Sequence, residues 1–335
     1  MSRLIRSFAV LATLGLAAGC SSAPGADEAS VVRPEPREAS SAAKSPFWVD
    51  PAGPAAEQSR RWRQEGRAAD ADLLERIARQ PAALWPAGDD PGSVVGPAVT
   101  AAAREKRTAL FVAYNIPHRD CGQHSAGGAA DADAYREWIG RFADALGERR
   151  ALVVLEPDAV AHIVDGCTPG EYHGEREQLL NEAIDRLKQQ PGTRVYLDAG
   201  NPAWIEDSRK LVEPLRRAGV DRADGFSLNV SNFQTDTKTK EYGVALSHDL
   251  DGKHFVIDTS RNGNGPLGGT PGDAWCNPPG RALGTPPTTD TGEPALDAFL
   301  WIKRPGESDG PCRGGPAAGR WWPDYALGLA RNART

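Results

Sequence analysis

The sequence is poor in several features that would mark other functions. It has one methionine, and its six histidines include no H-E-x-x-H pair of the kind that holds zinc on a helix. Its five cysteines include no C-x-x-C, which disfavours a zinc ribbon or a thioredoxin-like centre. G-x-x-x-x-G-K-[ST], the D-x-D-x-D-G cation loop and the G-x-S-x-G nucleophile elbow are all missing. The glycine-rich stretch from Arg261 to Pro266 does not open a helix, so it reads as a tight loop after a strand. Positive charge is also short: 39 Lys and Arg stand against 45 Asp and Glu, a net −6 that argues against a nucleic-acid partner. No internal repeat and no second aromatic-rich module interrupts the chain of 335 residues, a length that suits one large domain or two small ones.

What is present begins with an export signal. Arg3 and Arg6 precede an apolar run over residues 8–16, too short to span a bilayer stably. Ala17, Ala18 and Gly19 then lead to Cys20, and this box resembles a bacterial lipobox, with Ala17 where Leu is commoner. Lipidation at Cys20 is therefore expected, with simple signal cleavage as the alternative. Residues 1–19 read as the signal and 20–45 as a Ser-, Ala- and Pro-rich tether. A folded domain is expected over 46–335. Removing Cys20 leaves Cys121, Cys167, Cys276 and Cys312, an even number that suggests two disulfides in an exported chain; spacing alone does not choose among the three pairings.

From residue 109 onward, short continuous apolar runs alternate with amphipathic segments. Strands are predicted near 110–114, 152–155, 195–197, 226–230, 255–257 and 298–302, in the style of buried parallel strands. Tyr135, Trp138, Ile139, Phe142 and Leu146 share one helical face, as do Leu179, Leu180, Ala183, Ile184 and Leu187. Residues 324–330 are predicted to form a closing helix. The rhythm is that of an α/β fold; the pattern alone does not separate a barrel from a doubly wound sheet.

Acidic residues recur where these strands stop. Asp120 follows the first, Glu156 and Asp158 the second, Asp198 the third and Asp258 the fifth, with Glu307 and Asp309 after the last. Each alone reads as a capping or loop acid; together at one barrel rim they would line an acidic cleft. Glycoside hydrolysis needs two carboxyl groups, one protonated and one ionised. Crowding raises the pKa of the one that must act as acid. Clustered Asp could also hold a hard cation, but no cation loop accompanies them. The nine Trp residues fit ordinary core packing, with stacking on sugar faces as the other reading.

At this point the residues resemble a known family, glycoside hydrolase family 6, the inverting cellulases. The matching segments are VAYNIPHRDCG (112–122), VVLEPD (153–158), YLDAG (196–200), NVSN (229–232), IDTSRNGNGP (257–266), WC (275–276) and WIKRPGESDG (301–310). They run in the family's order over roughly 46–333. The resemblance implies a distorted parallel (β/α) barrel with a glycan cleft at the C-terminal strand ends. It implies Asp158 as general acid, Asp120 as its assistant and Asp309 at the position proposed as base. Asp198 would support the site, and Tyr114 would sit beneath the distorted sugar. Trp85, Trp204 and Trp275 match sugar platforms; Asn232, Lys303 and Glu307 match groups that bond sugar hydroxyls. It also implies the pairings Cys121–Cys167 and Cys276–Cys312, and no metal or cofactor.

The chain departs from the family pattern at three places. Ala126 stands where many members carry Ser near the relay water, with Ser125 beside it. Asn201 replaces a His at a position where sugar contact is expected. Pro86 to Asp90 replace a His- and Asn-rich stretch after Trp85. The resulting expectation is a monomeric endo-β-1,4-glucanase acting on a β-glucan, secreted or tethered to a membrane only through Cys20. A cellobiohydrolase is the close alternative. A glycan-binding lipoprotein without turnover, suggested by Ala126 and Asn201, is the alternative of another class.

Overall fold

In the computed structural model, residues 45–268 and 274–333 are described. The export segment, Cys20 and nearly all of the expected tether lie outside those residues. Six strands form one sheet: β1 (Ala109–Ala113), β2 (Ala151–Leu155), β3 (Thr193–Asp198), β4 (Gly225–Leu228), β5 (His254–Asp258) and β6 (Leu296–Leu300). Every neighbouring pair is parallel and the spatial order is the chain order. All six C-terminal ends therefore open on one edge. The sheet curls into the expected distorted (β/α) barrel. Its open side is crossed by residues 83–85: the Ala83 N–H donates to the Trp301 carbonyl (2.9 Å), and Leu84 pairs with β1 at Phe111.

Alternation along the strands builds two apolar layers. Leu110, Val112, Leu152, Val154, Tyr196, Val256, Ala298 and Leu300 fill one cluster with Phe47 and Ala83. Phe111, Val153, Leu155, Val195, Leu197, Phe226, Phe255 and Ile257 pack in the other, against the helices. With both faces covered, the strands need no polar alternation, which is why they read as continuous apolar runs.

The helices are α1 (Pro54–Gln64), α2 (Ala68–Ala78), α3 (Gly92–Arg104), α4 (Ala132–Leu146), a short α5 (Ala161–Val164), α6 (His173–Lys188), α7 (Arg209–Arg217), α8 (Asp236–Asp249) and α9 (Pro323–Asn332). The start of α4 is set by Asp131, whose side chain accepts from the Ala134 N–H (2.8 Å). Its buried face is the predicted one, and Trp138 Nε1 donates to the Gly88 carbonyl (2.9 Å). The α6 face and the closing helix also match. Strand starts fall one or two residues earlier than predicted, and three ends fall earlier too. At β4 the reason is local: Asn229 turns to φ 66°, which ends the strand before Val230.

The expected disulfides Cys121–Cys167 and Cys276–Cys312 both form. They close loops of 46 and 36 residues, worth about 3–4 kcal/mol each on the chain-entropy account.

Candidate active site

The strand ends leave backbone N–H groups without sheet partners, and carboxylates from adjacent strands take them up. Asp258 accepts from the N–H groups of Ser231 (3.0 Å), Ser260 (2.9 Å), Ile302 (3.2 Å) and Lys303 (2.9 Å). It is fully buried and stitches the ends of β4, β5 and β6 together. Asp258, counted among the rim acids from sequence, is thus a structural staple.

Asp198, the last residue of β3, does something similar two strands over. It accepts from the N–H of Asp158 (2.9 Å), the N–H of Gly200 (3.1 Å) and the hydroxyl of Ser227 (2.9 Å). Burial pushes its pKa up to about 6, against the pull of these donors. Asp158 is thereby seated beside a second carboxylate. It is half-buried and holds φ 72°, a left-handed conformation that costs a non-glycine residue about 1 kcal/mol or more. Burial raises the Asp158 pKa well above its ordinary value, and the charges of Asp198, Asp120 and Asp165 raise it further. The site thus favours a protonated Asp158.

Asp309 has the opposite surroundings. It is buried, but Arg261 Nη1 donates to Oδ2 (2.8 Å), Lys303 Nζ lies 3.5 Å from Oδ1, and the Asn277 N–H donates to Oδ2 (3.0 Å). Burial alone would raise its pKa; the two cations outweigh it and hold Asp309 below the usual carboxylate value. Arg261 is fully buried, with Nη2 donating to the Ser231 carbonyl (2.6 Å). Arg261 lies in the segment 257–266, where nothing in the sequence marks it as a partner of Asp309. The partner lies 48 residues away, and only the fold brings the two together.

Asp120 lies on the loop after β1. One of its oxygens accepts from the Ser125 N–H, so it is the Ser125 backbone that reaches this carboxylate. Tyr114 stands next to the same loop, edge-on to Trp85 (5.7 Å) and under the Arg119 guanidinium (4.8 Å). Burial, Asp158 and Asp120 all raise its pKa, which keeps it a neutral phenol. Trp85 is anchored by Nε1 donating to the Ile302 carbonyl (2.9 Å).

The remaining expected residues divide by what they touch. Trp204 is fixed by Nε1 donating to Asp165 (2.8 Å) and by an edge contact with His162 (4.9 Å). Asn201 spends its side-chain oxygen on the N–H groups of Ala203 (3.0 Å) and Trp204 (3.2 Å), holding the turn that carries this ring. The side-chain oxygen of Asn232 accepts from the Phe233 N–H (2.8 Å) and from Gln234 Nε2 (3.3 Å). Glu307 pairs with Arg304 (3.1 Å), and Lys303 Nζ also donates to the Ser308 carbonyl (3.2 Å). Trp275 lies 5.8 Å from the His124 ring, and a Cβ at Gly310 would fall 2.5 Å from that imidazole. The Asp120 loop therefore reaches the residues flanking Asp309.

A cavity of about 580 Å³ lies against this loop, lined by His118, Arg119, Gly128, Thr168 and Tyr172 among others. Neither Asp158 nor Asp309 lines it, so its size does not identify the chemistry. Cys121, Cys167 and His162 approach one another within 4.8 Å, but both sulfurs are committed to a disulfide. The chemically informative grouping is the rim itself: an acid stabilised in its protonated form, an ionised carboxylate held by two cations, and aromatic rings beside them.

Fold and site together define a parallel α/β barrel protein whose mouth is equipped for acid–base work. The chain belongs to glycosyl hydrolases family 6, whose model matches residues 42–333. It is 43% identical over 298 residues to endoglucanase A of Cellulomonas fimi, covering 87% of this chain and 62% of that protein. It is 42% identical over 292 residues to endoglucanase 1 of Streptomyces halstedii, covering 84% of this chain and 87% of that protein. Among solved structures it resembles the endoglucanase Cel6 of Mycobacterium tuberculosis, in complex with methyl-cellobiosyl-4-deoxy-4-thio-β-D-cellobioside. There the TM-score is 0.79 and the identity 44%, over 87% of this chain and 98% of that one.

Proposed function

We propose that the chain hydrolyses internal β-1,4-glucosidic bonds of cellulose-like glucans with inversion at the anomeric carbon. The observation that carries this reading is the contrast between Asp158 and Asp309 on one rim. Asp158, its pKa raised by burial and by neighbouring carboxylates, gives its proton to the leaving oxygen. Asp120 assists by raising that pKa or by relaying a proton from water. Asp309, kept ionised by Arg261 and Lys303, stabilises positive charge developing at the sugar or takes the proton of the attacking water. Asp198 seats Asp158 through its N–H.

Tyr114 lies beneath the sugar at the cleavage point, and Trp85, Trp204 and Trp275 are platforms for neighbouring sugar rings. Asn232, Lys303 and Glu307 supply polar contacts. Asn201 contributes by holding Trp204. Export, lipidation at Cys20 and monomeric action on a β-glucan complete the reading. Internal cutting is supported by the relatives at 42–44% identity, which are endoglucanases.

End-on release of cellobiose is the second reading, favoured by the approach of His124 to Trp275 and Gly310 across the rim. Proton NMR of freshly mixed protein and cellohexaose tests the proposal. The α-anomer of the product is expected before mutarotation, and a spread of oligomers indicates internal cutting. β-product first would contradict inversion. Broadened signals from intact substrate would favour a binding protein without turnover.

A further inference from the structure

Residues 115–118, between the end of β1 and Asp120, are gripped by two buried ionisable side chains from opposite sides. Glu156, immediately after β2, turns its carboxylate toward the donor side of this tetrapeptide. It accepts from the N–H of Asn115 (2.9 and 3.0 Å) and of Ile116 (3.0 Å). Arg176 of α6 meets the acceptor side. Its Nη2 donates to the carbonyls of Pro117 (3.2 Å) and His118 (2.9 Å). Its Nη1 donates to the Ala159 carbonyl (3.3 Å) and the Thr168 hydroxyl (2.7 Å). Glu156 is fully buried and Arg176 is 3% exposed.

This arrangement spends a buried carboxyl group and a buried guanidinium on the backbone of four consecutive residues, and burial pushes the Glu156 pKa up to about 7 against the pull of the Asn115 and Ile116 N–H groups. Oriented N–H groups face the carboxyl oxygens and oriented carbonyls face the guanidinium, so each buried polar group is compensated by backbone. Buried ionisable groups of this sort add little net stability compared with apolar residues of similar volume. What they do supply is a defined geometry for the backbone they hold. Asp120 lies two residues beyond His118, and Ala159 directly follows Asp158. One guanidinium thus refers both aspartates to the same point.

The return arm of the loop packs on the same four residues. The Ala129 N–H donates to the Asn115 carbonyl (2.8 Å). Gly128 has φ 97°, and a Cβ there would fall 1.9 Å from the Ile116 oxygen, so glycine is required. We infer that Glu156 and Arg176 are paired positioning residues that set Asp120 against Asp158, an inference that rests on the hydrolase reading above.

The test uses Glu156→Gln, Arg176→Lys and the double variant on two substrates. Cellohexaose needs protonation of its leaving group; 2,4-dinitrophenyl β-cellobioside, with a good leaving group, needs little. Each single variant is expected to lower kcat on cellohexaose about tenfold or more, with KM and the aryl cellobioside rate changed less than about twofold. The double variant is expected to cost no more than the worse single one, because both residues hold the same segment. Parallel losses on both substrates, or unchanged kcat on cellohexaose, would overturn the inference. If Glu156→Gln does not fold, Arg176→Lys carries the same comparison alone. If the unmodified protein cleaves neither substrate, the hydrolase reading fails, and amide exchange decides the clamp: faster exchange at Asn115, Ile116 and Ala129 in Arg176→Lys supports it, and unchanged exchange overturns it.

Discussion

Asp158 and Asp309 lie past β2 and β6 on the same barrel mouth, and their surroundings differ in sign. Around Asp158 the acting charges are Asp198, Asp120 and Asp165, all negative. Around Asp309 they are Arg261 and Lys303, both positive. Burial penalises ionisation at both positions, so burial does not separate them. The separation comes from which charges the neighbouring strand ends deliver. One chemical group on one rim is thereby given two protonation states over a shared pH range, which is what an acid and its ionised counterpart require.

The sharpest way to break this contrast is Asp158→Asn, which keeps the shape and removes the proton. Hydrolysis of cellohexaose should fall by about 10³-fold or more, while calorimetric affinity for the oligosaccharide changes less than about threefold.

Arg261→Met attacks the other side. Asp309 keeps Lys303 but loses its fully buried partner, which should cost about 3–5 kcal/mol in denaturant unfolding, as removal of one member of a buried pair does. The remaining carboxylate should also ionise at higher pH. In the folded variant the acidic limb of kcat/KM therefore moves up, and its basic limb, set by Asp158, stays.

A smaller effect concerns stability. Because folding raises the Asp158 pKa above its unfolded value, the folded state holds the proton more tightly. The associated stability is fully present below about pH 4, near the ordinary Asp value, and is lost as pH rises toward the folded pKa. The melting temperature of Asp158→Asn should therefore exceed that of the unmodified protein by an amount that grows with pH above 4. A gap that shrinks over that range would remove the basis for calling Asp158 electrostatically uncompensated.

The smallest expected effect is at Asn201. Asn201→Ala removes the acceptor for the Ala203 and Trp204 N–H groups, a loss of about 1 kcal/mol by analogy with helix caps. KM for cellohexaose should rise about two- to fivefold with kcat unchanged, the signature of a loosened binding surface. A fall in kcat with unchanged KM would instead place Asn201 near the reacting bond.

The same contrast shows how far the sequence could be read. The strands were legible because their burial on both faces leaves continuous apolar runs such as Ala151–Leu155. Helices α1, α2 and α3 were not, and α1 shows why. Its buried positions include Gln58 and Ser59, so the apolar stripe is thin. Helix α8 buries Thr239, Gly243 and Ser247 beside Tyr242 and Leu246, which blurs it in the same way.

At the site, Asp120, Asp158, Asp198 and Asp309 were found by their recurrence after strands and by resemblance. The sign of each environment was not legible. Arg261 meets Asp309 across 48 residues, and Arg176 meets Pro117 across 59, so their partners exist only once the barrel closes. Asp258 and Glu156 share the position of a rim acid yet spend their oxygens on backbone N–H groups, a distinction that depends on strand geometry.

The most direct measurement is a carboxyl ¹³C NMR titration of protein labelled at aspartate, with resonances assigned by their loss in Asp158→Asn and Asp309→Asn. The account predicts that the Asp158 signal titrates well above the ordinary aspartate range and the Asp309 signal below it. Coincident titrations, or the reverse order, would contradict it.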